Sequence, residues 1–333
     1  MTGAYSRSAA MTCHPDHPDH LVPASPPGAV YLAPNGFERE LEEELHRRGK
    51  RVTLRLGRLF GTEQKAFDAV WVDNIWLDPF FLSIHSISDG VRQLKGIQRN
   101  WALFSCLEHR RATLIEEQLP KVSAKPLSFG SPAPTAPLGS WTLLGRDRIL
   151  ASASCSSPFA NGRIAFRENK LEPPNRAYLK LWEFFTRAGI MPGPGDLCLD
   201  LGSSPGGWSW VLAELGARVF SLDKAPLASH IAGHPLVNHC EGSAFALDPQ
   251  TAGDVSWLFC DVACYPDRLY DMVRRWIDAG CTANYLCTIK FAGPTDFEAL
   301  ERFLAIQDSR ALHLYINKHE VTWFFSPKRK ICI

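Results

Sequence analysis

The chain has 333 residues, 45% of them hydrophobic, 21% charged and 11% aromatic; 36 Lys and Arg against 35 Asp and Glu leave a formal charge of +1. At roughly 100–200 residues per domain this length suggests two domains, and the near-neutral charge excludes a polybasic binder, so any nucleic-acid surface must come from local clustering. No apolar run approaches the roughly 18–20 residues of a membrane span. The opening MTGAYSRSAAMTCHPDHPDH lacks the apolar segment of a secretory signal. Ten cysteines are scattered from Cys13 to Cys332 without a CxxC pair, and Cys260 and Cys264 are too irregular for zinc. They read as reduced thiols of a cytoplasmic protein with no metal centre.

In chain order, residues 1–28 read as a disordered tail rich in Pro, Ser, His and Asp. His14, His17 and His20 lie in an HPDH run, for which a solvated tail is a better reading than a metal site. Residues 29–124 read as a small α+β unit. A short apolar run, Ala29–Ala33, precedes a Pro-Asn-Gly turn and a helix from about Phe37, with Phe37, Leu41 and Leu45 at four-residue spacing and Gly49 as its stop. VTLRLG and AFDAVWVDNIWL follow as β-rich segments, then helices near Ile87–Leu94 and Arg110–Leu119. Residues 125–172 read as a connecting segment: PLSFGSPAPTAP is linker-like, and WTLLGRDRILASASCSSPFANGRIAF adds strand-like runs with a turn at Asn161-Gly162.

Over residues 173–333 apolar runs of strand length alternate with helical stretches: DLCLDLG, RVFSLDK, LVNHCEG, SWLFCDV and NYLCTIKF. That alternation predicts an α/β fold, a parallel doubly wound sheet buried on both faces. ALHLYIN and VTWFFS are joined too closely for a parallel crossover and must form an antiparallel terminal hairpin.

The most informative stretch is DLCLDLGSSPGGWSWVLAELGARVFSLDKAP. Asp200 and its strand run into Gly202, Ser204, Pro205, Gly206 and Gly207, and a helix opens at Trp208, offering unpaired N–H groups to a ligand. The spacing is not the GxGxxG that a pyrophosphate requires. Asp223 ends the next strand, where a carboxylate accepts from ribose hydroxyls. Ribose recognition without pyrophosphate recognition points to S-adenosylmethionine.

With DLGSSPGGW, the helix of PPNRAYLKLWEF, CDVA, TIKF and HEVTWF, the chain resembles the FtsJ/RrmJ-like S-adenosylmethionine-dependent ribose 2′-O-methyltransferases. It is most similar to the RlmM-like branch, which acts on a cytidine of 23S ribosomal RNA. The resemblance implies a Rossmann-like sheet and, from YLAPNGFERELEEEL, an N-terminal THUMP-like RNA-binding region. It further implies a Lys-Asp-Lys-Glu tetrad carried by Lys180, Asp261, Lys290 and Glu320. Asp261 and Lys290 end strands at the carboxyl edge, and Glu320, starting an antiparallel strand, begins at the same edge. Lys290 is the expected base for the 2′-hydroxyl, a role that a second ammonium (Lys180) and partial desolvation favour. Asp261 orients it and borders the methionine moiety; Glu320 positions a lysine or the ribose. Related enzymes place an acid near Ser243 to meet the adenine amino group, so serine is a departure, and Asp248 is too far along to replace it directly. Asp261-Val262-Ala263-Cys264 lacks the Asn/Asp-Pro-Pro-Tyr/Phe pattern of amino-group methyltransferases.

Two basic runs are candidate RNA contacts: Arg47, Arg48, Lys50, Arg51, Arg55 and Arg58, and then Arg92, Lys95, Arg99, His109, Arg110 and Arg111 around Trp101 and Phe104. Lys328-Arg329-Lys330 is a third. The expected partner is 23S rRNA or its precursor, with no membrane and no protein partner inferred. The alternatives are 2′-O-methylation of another RNA and a catalytically weak RNA-binding or ribosome-assembly factor; a small-molecule O-methyltransferase is disfavoured.

Overall fold

A computed structural model of the chain describes residues 21–123 and 125–327. The His14–His20 run and Lys328-Arg329-Lys330 lie outside the described residues. No described helix is long and apolar enough to cross a membrane.

The first half holds β1 (Ala29–Leu32), α1 (Glu38–Arg47), β2 (Val52–Leu56), β3 (Leu59–Thr62), β4 (Asn74–Leu77), β5 (Phe80–Ser83), α2 (Ile87–Ile97), β6 (Trp101–Leu103), α3 (His109–Glu116), β7 (Gly139–Leu143), β8 (Arg148–Ser152) and β9 (Ser154–Cys155). They form an antiparallel sheet in the order β2-β3-β1-β4-β9 and a mixed sheet in the order β5-β8-β7-β6. The central strand β1, AVYL, is buried along its whole length, as a strand covered on both faces must be.

Two boundaries read from the sequence are corrected. Residues 139–155 are not a connection: β7 and β8 form half of the mixed sheet, and β9 closes the edge of the antiparallel one. WTLLGRDRILAS is a hairpin, and its strands find partners far back in the chain, β8 on β5 and β7 on β6. Residues 21–28 are not a tail end. Leu21 and Arg55 exchange backbone hydrogen bonds (3.0 and 2.8 Å), and the Gly28 N–H donates to the Thr62 carbonyl at 2.7 Å. Val22 packs against the core beneath them.

The second half holds α4 (Tyr178–Ala188), β10 (Leu197–Leu201), α5 (Gly207–Glu214), β11 (Arg218–Asp223), α6 (Ser229–Ala232), β12 (Val237–Glu241), α7 (Pro249–Ala252), β13 (Val255–Cys260), α8 (Pro266–Ala279), β14 (Thr282–Lys290), α9 (Phe297–Leu304), β15 (Arg310–Leu312) and β16 (Glu320–Phe325). The sheet runs β12-β11-β10-β13-β14-β16-β15, parallel through the first five strands, with β16 antiparallel to both neighbours. Helix α8 shows why these segments coil as they do. Pro266 opens it, Gly280 ends it in the left-handed conformation, and Leu269, Met272, Val273 and Trp276 form one buried stripe. The terminal strands pair as expected, although β15 keeps only three residues and residues 313–319 connect it to β16.

The chain steps outward from β10 through β11 to β12, then returns to β13 on the other side of β10. The strand order therefore reverses between β10 and β13, the place where open α/β sheets form a ligand crevice at their carboxyl edge.

Candidate active site

Everything predicted around the glycine turn gathers at that switch point. Gly202 leaves β10 with φ +79°, and a Cβ there would meet the Val262 backbone N at 2.8 Å. The loops after β10 and β13 thus touch through bare backbone. The Gly202 N–H donates to Leu222 O (2.9 Å) and the Asp261 N–H to Leu201 O (3.0 Å), tying three strand ends together. Gly206, at φ +113°, lies against Ile231, and a Cβ on Gly207 would strike Asn175 Oδ1. The N–H groups of the first turn of α5, from Gly207, have no intrahelical acceptor, which leaves a partial positive charge at the turn.

Asp223 ends β11 beside it. Its Oδ2 accepts from the Ser204 N–H and its Oδ1 from the Ala225 N–H, both at 3.0 Å, so the carboxylate is oriented by backbone and half-exposed toward the crevice. The Ser204 hydroxyl donates to Pro226 O at 2.8 Å, and Pro205 O accepts from the Ala228 N–H at 3.0 Å, so both residues brace the turn. A cradle of close backbone, helix N–H groups and one carboxylate fits S-adenosylmethionine. Two predicted members stand behind it. Asp200 is fully buried; its Oδ2 accepts from Ser209 Oγ at 2.6 Å, its Oδ1 has no partner among the described residues, and burial pushes its carboxyl up to about 7. Trp208 is buried too, and its indole N–H donates to Ala177 O at 3.0 Å, joining α5 to the start of α4. Ser243 follows β12 in extended conformation with no side-chain hydrogen bond among the described residues, and Asp248 caps α7 by accepting from the Gln250 N–H.

Lys180, Asp261, Lys290 and Glu320 converge. Lys180 Nζ lies 2.6 Å from Glu320 Oε1 and 3.3 Å from Asp261 Oδ2. Lys290 Nζ lies 2.9 Å from Asp261 Oδ1 and donates to the Asp261 main-chain carbonyl at 2.7 Å. Lys290 and Glu320 are directly opposite in the β14/β16 register. Two ammonium and two carboxylate groups make a closed set whose charges cancel, the condition for holding ions away from water. The Lys180 side chain is 8% exposed and that of Lys290 29%, so Lys290 is the lysine a substrate reaches first. The chain also supplies neighbours that no sequence signal marked. His319, next to Glu320, is held by Thr295 Oγ1 at 2.7 Å, and Glu40 of α1 stands 3.9 Å from its ring.

The first basic run is largely consumed by acids. Arg58 pairs with Asp73 and donates to Ala33 O, Arg55 pairs with Glu42, Arg51 with Glu63, and Arg47 with Glu43. Arg48 and Lys50 lie over the Phe67 ring. Trp101 is core, its indole N–H shared by Leu94 O and Gln98 O. Lys95, His109 and Arg110 remain exposed on α2 and α3, as does Arg99 just past α2, while the exposed Arg92 pairs with Asp89 at 2.6 Å.

Residues 173–290 match the family model of the FtsJ-like methyltransferases. The chain is 29% identical over 201 residues to "Ribosomal RNA large subunit methyltransferase M" of Laribacter hongkongensis, covering 54% of this chain and 56% of that protein. It is 32% identical over 157 residues to the protein of the same name from Halorhodospira halophila, covering 45% and 46%. With the one from Xanthomonas oryzae pv. oryzae it shares 26% over 288 residues, covering 82% and 75%. In the first two alignments the chain spans about half the length of its relative. The family model covers the five parallel strands β10 to β14, which makes residues 173–290 an FtsJ-like methyltransferase domain, one that uses S-adenosylmethionine.

Proposed function

We propose that the chain methylates a ribose 2′-hydroxyl, that of a cytidine, in 23S ribosomal RNA or its precursor, in the cytoplasm. The observation that carries this reading is the ion-pair cluster of Lys180, Asp261, Lys290 and Glu320 beside the Gly202–Gly207 turn. The shared name of the relatives supports large-subunit rRNA as acceptor.

S-adenosylmethionine supplies an electrophilic methyl group. Lys290, the more accessible lysine, acts as the free amine, the ammonium proton of the resting ion pair having first passed to solvent, and its Nζ then takes the hydroxyl proton. Asp261 aims it through two contacts, carboxylate and main-chain carbonyl. Lys180 bridges the two carboxylates and holds Glu320 against the acceptor ribose. Alignment of hydroxyl and methyl group is the larger share of the acceleration, because it removes the entropy of bringing them together. The first half, a THUMP-like region in this reading, holds RNA phosphates through the exposed Lys95, Arg99 and Arg110.

The test is transfer from labelled S-adenosylmethionine to rRNA of cells lacking this protein, followed by nuclease mapping. One alkali-resistant, 2′-O-methylated position is expected. Lys290→Ala should lower the rate by about a hundredfold or more while S-adenosylmethionine still binds; undiminished transfer removes Lys290 as the base.

A further inference from the structure

Tyr265 lies five residues beyond the end of β13, on the carboxyl edge that holds Asp261, and it is 73% exposed. Its backbone is extended (φ −67°, ψ 147°) and it precedes α8 without capping it. Among the described residues its side chain makes no hydrogen bond, and its ring touches no other ring or cation. A large aromatic side chain held in water keeps its apolar face available, and covering that face with a ligand is favourable.

Its surroundings have a definite chemistry. Cys264, the preceding residue, is half-buried, and its thiol feels the charges of both Lys290 and Arg268, so both cations stand near it. Arg268 stands three residues beyond Tyr265, one turn into α8. Its guanidinium lies 3.9 Å from the centroid of Phe245 and has no acidic partner among the described residues. Phe245 lies two residues beyond Ser243 in the loop after β12. The crevice rim therefore runs from that loop through an oriented guanidinium to an uncovered tyrosine four residues past Asp261, the ion-pair partner of Lys290. An aromatic face accepts the face of an unpaired base, and a guanidinium one turn away accepts a phosphate.

We propose that Tyr265 and Arg268 seat the acceptor strand: the Tyr265 ring stacks on an unpaired base next to Lys290, and Arg268 pairs with a phosphate of the same strand. This inference rests on the reading of the acceptor as RNA. Stacking adds sequence-tolerant affinity for single-stranded nucleic acid, so Tyr265 strengthens RNA binding and leaves S-adenosylmethionine binding alone.

The experiment measures methyl transfer to rRNA from cells lacking this protein, with wild type, Tyr265→Ala, Tyr265→Phe and Arg268→Gln. Tyr265→Ala should raise the KM for RNA about tenfold at unchanged S-adenosylmethionine affinity. Tyr265→Phe, which keeps the π face, should stay within about twofold of wild type. Arg268→Gln should raise KM and reduce the slope of log affinity against log salt by about one. A wild-type KM in Tyr265→Ala, or a defect in Tyr265→Phe equal to that of alanine, overturns the stacking role. If wild type transfers no methyl group, the proposed function fails by itself. Filter binding of the same rRNA then decides this inference: it stands only if alanine weakens binding and phenylalanine does not.

Discussion

Gly202 is the residue on which the cofactor crevice turns. Its positive φ is one that side chains rarely adopt, and the atoms a Cβ would meet include the Val262 backbone N and Cα at 2.8 and 2.9 Å, which cannot swing aside. Gly207 differs, because the atom in its way is the terminal Asn175 Oδ1, which can rotate aside at the cost of its hydrogen bond from the Ala177 N–H. Gly202→Ala should therefore cost on the order of 1–3 kcal/mol of stability and abolish S-adenosylmethionine binding. Gly207→Ala should fold normally. Thermal unfolding and titration calorimetry on the two variants check this; intact cofactor binding in Gly202→Ala would detach the turn from the crevice. Both glycines were legible as a ligand turn in the sequence. Their unequal tolerance was not, since Val262 and Asn175 approach only in the fold.

At the scale of elements, the connection between β15 and β16 delivers Glu320 to the site, and His313 anchors it. The His313 N–H donates to Val70 O, its Nε2–H donates to Lys318 O, both at 3.1 Å, and its ring lies 4.6 Å from Phe37 and 5.2 Å from Trp71. Burial lowers its pKa to about 4, because imidazolium would lose its hydration there. The unfolded chain takes up that proton near pH 6.5, so the stability contributed by neutral His313 is complete above about 6.5 and lost as pH falls toward 4. His313→Gln should then lose less stability than wild type between pH 7 and pH 5, by on the order of 2 kcal/mol. Denaturant titrations at the two pH values measure it. Glu44, whose buried carboxyl is raised to about 7, shifts stability the opposite way, and it does so in both proteins, so the difference isolates His313. Equal losses would mean that His313 does not titrate in this window.

For the whole molecule, the two halves share one interior. Tyr31, Leu41, Leu45 and Trp71 of the first half belong to the same apolar cluster as Leu258, Tyr285 and Trp323 of the methyltransferase sheet. Polar contacts across the junction add direction: Arg310 pairs with Asp68, Arg47 lies 3.7 Å from Glu301, and Arg163 stacks on Tyr315. Such half-exposed pairs contribute little stability by themselves, and the buried aromatic contacts contribute most of it. Scanning calorimetry should accordingly show one cooperative transition for the full chain. Two resolved transitions would show that the halves fold separately and that the first does not brace the Glu320 edge.

Local periodicity and chemistry were enough to read the parallel sheet, the terminal hairpin and the glycine turn, whereas Lys180, Asp261, Lys290 and Glu320 were singled out by the family resemblance. Strand runs buried on both faces are continuous, and a turn that approaches a ligand needs glycine wherever it occurs. The pairing of β5 with β8 and of β4 with β9 was hidden, because their partners lie more than sixty residues apart and a strand's own pattern does not name its neighbour. The basic run from Arg47 to Arg58 looked like an open cationic face until the fold brought Glu42, Glu63 and Asp73 onto it. Sequence alone determined which chemical groups the chain carries and the elements that present them. Only the tertiary structure decided which charges remain exposed and which are spent on one another, because ion pairing and burial depend on distances through space.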